Sequence, residues 1–192
     1  MAPQPAALES LRAGRLQLVR IGASDLPELT RMHRDPRVMA TLGGLRSEEW
    51  SVALLRGLED HWEEHGFGLW TLRESATGRF AGRGGLRRVT IEGRDEVEVA
   101  YALLPEFWGQ GLATEVAVAS VRVGFDALEL HDLVSFSLPT HAASRRVMTK
   151  AGFAYERDVG HAGLPHVLYR ITAASWRRDP GDSRRSSVGS NA

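Results

Sequence analysis

The 192-residue chain contains no cysteine. That absence excludes disulfides, thiolate nucleophiles and cysteine-ligated metals, and it accords with a reducing compartment. No sign of charge is in excess, since 24 Lys and Arg balance 24 Asp and Glu. A global field that would recruit nucleic acid or an anionic membrane is therefore lacking, and no basic stripe with interleaved aromatics is present. Long apolar runs are missing too. Met1 to Ser10 holds none of signal-peptide length, and no later segment is long enough to span a bilayer, so a cytoplasmic location is expected. The histidines do not fall at metal-ligand spacing, and no metal is expected. No internal repeat is visible.

The most informative segment that is present runs from Val97 to Glu115. Val97, Val99, Tyr101 and Leu103 alternate with Glu98, Ala100 and Ala102, as a strand with two unlike faces requires. Pro105 cannot donate to a sheet ladder and ends the pairing. Gly109 and Gly111 permit a tight turn, and an apolar run with helical spacing opens at Leu112. Free N–H groups and the positive dipole end of that helix would point into the turn, which favours a phosphate or pyrophosphate. The other reading is an ordinary strand-to-helix turn. The third glycine of a dinucleotide fingerprint and the Gly-Lys-Ser/Thr of a P-loop are both absent.

Around this segment the pattern predicts one α+β domain. Strands are expected over Arg15–Ile21, Phe67–Arg73, Phe80–Val89, Leu133–Leu138, Phe153–Arg157 and Val167–Ile171. A short helix is expected to run to about His33, entered through Asp25 and Glu28 at capping-box spacing. A second opens at Ser47 with the acidic turn Glu48-Glu49, and Trp50, Leu54, Leu58 and Trp62 recur along it as a core stripe. Further helices are expected over Leu112 to about Leu128 and over Ala142–Ala151, the latter ended by Gly152. Residues 1–14 are read as an extension, 15–176 as the domain, and 177–192 as a disordered polar tail.

Three pieces in order, Glu98-Val99-Ala100-Tyr101, Trp108 through Glu115, and Ser144 through Phe153, resemble the GCN5-related N-acetyltransferase (GNAT) superfamily, with the RimJ/RimL type as the nearest subgroup. The likeness extends from Leu16 to Ile171. It implies the GNAT fold: a mixed, mostly antiparallel sheet of about six or seven strands with flanking helices and a splayed central strand pair. It implies acetyl-CoA as donor and a primary amine, either a protein N-terminus or a small molecule, as acceptor. Homodimers are common among such proteins.

By the same resemblance, the main chain of Trp108, Gly109, Gln110, Gly111, Leu112, Ala113 and Thr114 would seat the CoA diphosphate. The strand edge at Tyr101, Ala102 and Leu103 would pair with the pantetheine arm. Glu98 stands where such enzymes often place a carboxylate base; its other reading is a solvated neighbour of Asp95 and Glu96. Ser144 stands where relatives carry a serine assisting the leaving thiolate; its other reading is a helix cap. The chain departs from the pattern at His141, where relatives carry an asparagine that contacts the cofactor arm, and at Met148, where many carry a tyrosine general acid. These departures keep a non-catalytic CoA-binding or regulatory module as the alternative, and a longer acyl donor as a third reading.

Overall fold

The computed structural model describes residues 8–178. Eight strands form one sheet in the order β1-β2-β3-β4-β5-β6-β8-β7. They are β1 (Ser10–Ala13), β2 (Leu16–Arg20), β3 (Leu69–Glu74), β4 (Phe80–Ile91), β5 (Arg94–Leu103), β6 (Asp132–Ser137), β7 (Ala154–His161) and β8 (Leu164–Thr172). Helices α1 (Leu26–His33), α2 (Pro36–Met39) and α3 (Glu48–His65) join β2 to β3. Helix α4 (Leu112–Arg122) follows β5, α5 (Ala142–Lys150) follows β6, and α6 (Ala173–Arg178) follows β8. The sheet thus has one strand more than the six or seven expected. The added strand, β1, pairs with β2 ahead of the first expected one. Of the expected polar tail, Arg177 and Arg178 belong to α6; residues 179–192, like 1–7 of the expected extension, lie outside the described residues. No helix among the described residues is long and apolar enough to cross a membrane.

Every neighbouring pair is antiparallel except β5 and β6, which α4 joins in parallel. Their pairing is confined to Glu98 opposite Val134. Beyond it only the Ser135 hydroxyl reaches across, donating to the Val99 carbonyl at 2.9 Å, so the two strands part toward their C-terminal ends. Antiparallel pairing turns alternate residues to opposite neighbours. Leu104 donates its N–H to Ala81 of β4, and the main-chain groups of Tyr101 and Leu103 accordingly point the other way, into the opening beside β6.

The faces of the sheet are covered by different helices. Thr71 of β3 donates its hydroxyl to Asp25, at the entry to α1, at 2.7 Å, and Arg73 binds Asp25 and Glu28. Asp25 stands at the N-cap of α1, as its spacing suggested, but makes no side-chain bond into that helix; its buried carboxylate binds Arg73 and accepts from the Gly22 N–H at 3.1 Å. Ser47 does cap α3, accepting from Trp50 N–H at 3.2 Å. The buried stripe of α3 is Ser51, Leu55, Leu58 and Trp62, one residue round from the expected one at Trp50 and Leu54. On the opposite face, an added Cβ at Gly84 of β4 would meet Val116 of α4 at 2.8 Å, which is why that position is glycine.

Candidate active site

The turn between β5 and α4 has the form its glycines allow. Gly109 and Gly111 take positive φ values of 72° and 82°, a region closed to most side chains. Gly111 is the N-cap of α4 and offers no side chain, so the helix start has no side-chain cap and its first N–H groups face the turn. A clamp shapes the loop. Arg15 donates to the Gln110 carbonyl at 2.5 Å and to Glu115 Oε1 at 2.6 Å, while its own N–H bonds Glu115 Oε2 at 2.9 Å. The Gln110 amide is turned back onto the Glu106 carbonyl at 2.8 Å. The half-exposed Trp108 donates its indole N–H to the Leu103 carbonyl at 2.7 Å, so one acceptor of the open β5 edge is already engaged by this side chain.

On the α4 face the structure brings together residues 43 positions apart. The Tyr101 hydroxyl donates to the Ser144 carbonyl at 3.1 Å and lies 3.1 Å from Ser144 Oγ. Ser144 is buried in the first turn of α5; the N-cap there is His141, and Ser144 Oγ is bonded to Tyr101 rather than capping the helix. Burial pushes the Tyr101 phenol up to about 12, which keeps it a proton donor at neutral pH. This hydroxyl was not singled out from the sequence, where Tyr101 counted only for its main chain. Burial lowers His141 below the usual imidazole value, so its ring is neutral. Met148 is a fully buried core residue.

The α1 face carries the charges. Residues directly opposite in an antiparallel pair share a face, so Arg87, Gly85 and Arg83 of β4 stand with Glu98, Ala100 and Ala102 of β5. Glu98 is buried, and its Oε2 accepts from Arg87 Nε at 2.5 Å; the carboxylate raises Arg87 above its ordinary value. Arg87 was not anticipated from sequence, and its place depends on the β4–β5 register. His161, at the end of β7, senses the charges of both Glu98 and Arg87. Its ring lies 4.9 Å from Phe136, which also meets His166 at 5.4 Å. His161 thus borders the Glu98 site, with His166 against the same phenylalanine ring.

His33 ends α1 fully buried, with Nδ1 2.9 Å from Ser51 Oγ and its ring edge against Trp50 at 5.1 Å. Desolvation first, then the charges of Arg83 and Arg46, push it down to about 4. Its folded value lies below the unfolded one, near 6.5, so the unfolded chain takes the proton first. The stability gained from a neutral His33 is full above pH 6.5 and drains away as pH falls toward 4, by about 3 kcal/mol in total. Urea unfolding at pH 7 and pH 4.5 is expected to show a smaller acid loss for His33→Asn than for the parent chain; equal losses would contradict the assignment.

The chain matches the family model of the acetyltransferase (GNAT) domain over residues 15–154. It is 30% identical over 186 residues to the FsC-acetyl coenzyme A-N(2)-transacetylase of Aspergillus fumigatus, a match covering 88% of this chain and 78% of that protein. Among solved structures it resembles an acetyltransferase from Agrobacterium tumefaciens (TM-score 0.74, 24% identity, 84% of this chain and 93% of that one). It also resembles the ribosomal-protein-S5-alanine acetyltransferase of Vibrio fischeri (TM-score 0.69, 20% identity, 87% and 98%).

Proposed function

Because the chain belongs to the GNAT acetyltransferase family, we propose that it is an acetyl-CoA-dependent N-acetyltransferase of RimJ/RimL-like type, acting on a primary amine. The observation that carries this reading is the uncapped start of α4 behind the left-handed Gly109 and Gly111, adjoining the open edge of β5. An added Cβ at Gly109 would meet nothing within 4 Å, so the turn has room in front of it for a diphosphate held by the N–H groups of residues 108 to 114. The edge at Tyr101, Ala102 and Leu103 would take the pantetheine arm as an added strand, with His141 and Ser144 beside it on α5. When bound, the donor supplies a thioester carbon open to attack by an amine.

The chain's own residues then have two tasks. Glu98 takes the proton lost by the amine as its nitrogen bonds the acetyl carbon, either directly or through water, with Arg87 orienting the carboxylate. The Tyr101 and Ser144 hydroxyls stand on the other face, where a proton can be returned to the sulfur as the carbon–sulfur bond breaks. The Aspergillus relative is named for an N(2)-amine and the Vibrio structure for a protein alanine, so both acceptor classes are carried forward.

Calorimetric titration with acetyl-CoA tests the donor half, and no heat at high micromolar concentration would remove it. Thiol release with an amine panel tests the transfer. The chain has no cysteine, so a thiol reagent reports only liberated CoA. Tight CoA binding with no release across the panel would favour the non-catalytic module.

A further inference from the structure

Strand β4 outruns the strand beside it. β3 begins at Leu69, opposite Gly85, and one further main-chain bond runs from the Leu86 N–H to the Gly68 carbonyl at 3.3 Å. A continuing ladder would next meet the Arg88 N–H, two residues on. The neighbouring chain has turned off by then, with Gly66 left-handed at a φ of 70° where α3 ends. A side chain fills the place instead. His61, one turn before the end of α3, has Nε2 2.9 Å from the Arg88 nitrogen and Nδ1 2.9 Å from the Phe67 carbonyl oxygen. One partner only donates and the other only accepts. The ring must therefore carry its proton on Nδ1 and a lone pair on Nε2, which is neutral imidazole in a single tautomer. The imidazolium, with N–H groups on both nitrogens, would set donor against donor at Arg88.

The peptide unit held in this way joins Arg87 to Arg88. Its N–H faces His61, and by the alternation of an antiparallel strand its carbonyl faces β5, where Arg87 stands opposite Glu98. It is one of the two planar units flanking the Arg87 Cα, so its orientation helps to aim that side chain, whose Nε lies 2.5 Å from Glu98 Oε2. Resting on the transferase reading above, we propose that neutral His61 is a positioning residue: through the Arg87–Arg88 peptide it holds Arg87 on Glu98, and protonation of the ring withdraws that support and slows transfer.

The groups facing the ring come from three elements. His65, 4.5 Å away between ring centres, and Glu64 belong to α3, Phe67 at 5.3 Å to the turn before β3, and Arg88 to β4. Burial holds His61 below the usual imidazole value against the bond to the Phe67 carbonyl, with the His65 and Arg88 charges adding to the lowering and Glu64 opposing it. The folded value thus lies below the unfolded one. The tie is complete at neutral pH and is lost as pH falls through the folded value.

Nitrogen NMR of the full chain reads the ring directly. At about pH 8 His61 is expected to show a protonated Nδ1 and a bare Nε2. On acidification Nε2 should gain its proton with a midpoint below about 6.5, and the Arg88 amide and Arg87 Nε–H signals should move with that midpoint. The side-chain amide of His61→Gln can donate and accept but does not titrate, so both arginine signals, and the kcat profile, should lose that step. His61→Phe keeps a ring and loses both bonds. Its kcat at neutral pH is expected to fall by roughly 3–10-fold, the range one hydrogen bond is worth, with the KM for acetyl-CoA unchanged and with most of the loss restored in His61→Gln. A proton on Nε2 at about pH 8, an Arg87 signal indifferent to the ring, or a His61→Phe protein as fast as the parent would overturn the assignment and leave the transferase reading standing. A parent protein that neither takes up acetyl-CoA nor releases thiol would instead remove that reading, and the effect on transfer with it.

Discussion

Gly82→Ala is expected to destabilise the fold by about 4 kcal/mol, combining the strain of a disfavoured backbone with the cost of overpacking. Gly82 adopts a positive φ of 147° near the start of β4, and an added Cβ would run into the Ala102 carbonyl oxygen and stand 2.8 Å from Leu103 Cα. Both obstacles are main chain and cannot swing aside. They also belong to the β5 segment that would take the donor's arm. A loss of this size is a large part of the total stability of an ordinary domain, and it should lower the melting temperature by roughly 12 °C. Gly78→Ala is the control. Its φ is also positive, at 71°, but an added Cβ there meets nothing within 4 Å, so only the backbone cost remains. Equal melting temperatures for the two variants would refute the steric argument.

Under the proposed reaction, Glu98→Gln is expected to lower kcat by about 10²–10⁴-fold, the span typical of a positioned general base. Glutamine preserves the shape but not the charge, and it leaves Arg87, whose side chain is one third exposed, without its carboxylate. Some loss of stability must accompany this change. The pH profile separates the two effects. Removing a base abolishes the acidic limb of the kcat profile, whereas loosening the fold leaves that limb in place. Donor KM should move little, because the diphosphate seat and Glu98 draw on different parts of the β5–α4 unit. A kcat within a few-fold of the parent enzyme would show that the amine loses its proton without Glu98.

Much of the fold was legible because its elements are strongly periodic. Alternation from Val97 to Leu103 and the apolar run after Gly111 correspond to β5 and α4. What escaped reading was set by contacts between distant segments. Strand β1 is four residues long, with only Ala13 buried, and short polar edge strands carry little hydrophobic signal. The stripe of α3 was displaced by one residue because Ser51 is buried by its hydrogen bond to His33, while Trp50 stays partly exposed against Arg46. Arg83 and Arg87 sit in β4 at a spacing that puts both on one face. Which carboxylate Arg87 meets depends on the register imposed by the Glu92–Gly93 turn, where both residues take positive φ. The partnership of Tyr101 with Ser144 requires α5 to have docked on the sheet, and no local pattern announces it.

The tie from Arg15 to Gln110 and Glu115 spans 95 and 100 positions of chain. The loop that would cradle the nucleotide is consequently not a portable motif. A synthetic peptide from Leu103 to Val116 would carry both glycines but nothing to hold the Gln110 peptide group in place, and grafting it onto another strand-helix junction would need a cation imported from elsewhere in the host. Deletion of the first fifteen residues, remote as they are in the sequence, should loosen the grip on acetyl-CoA before it disturbs any group that handles protons.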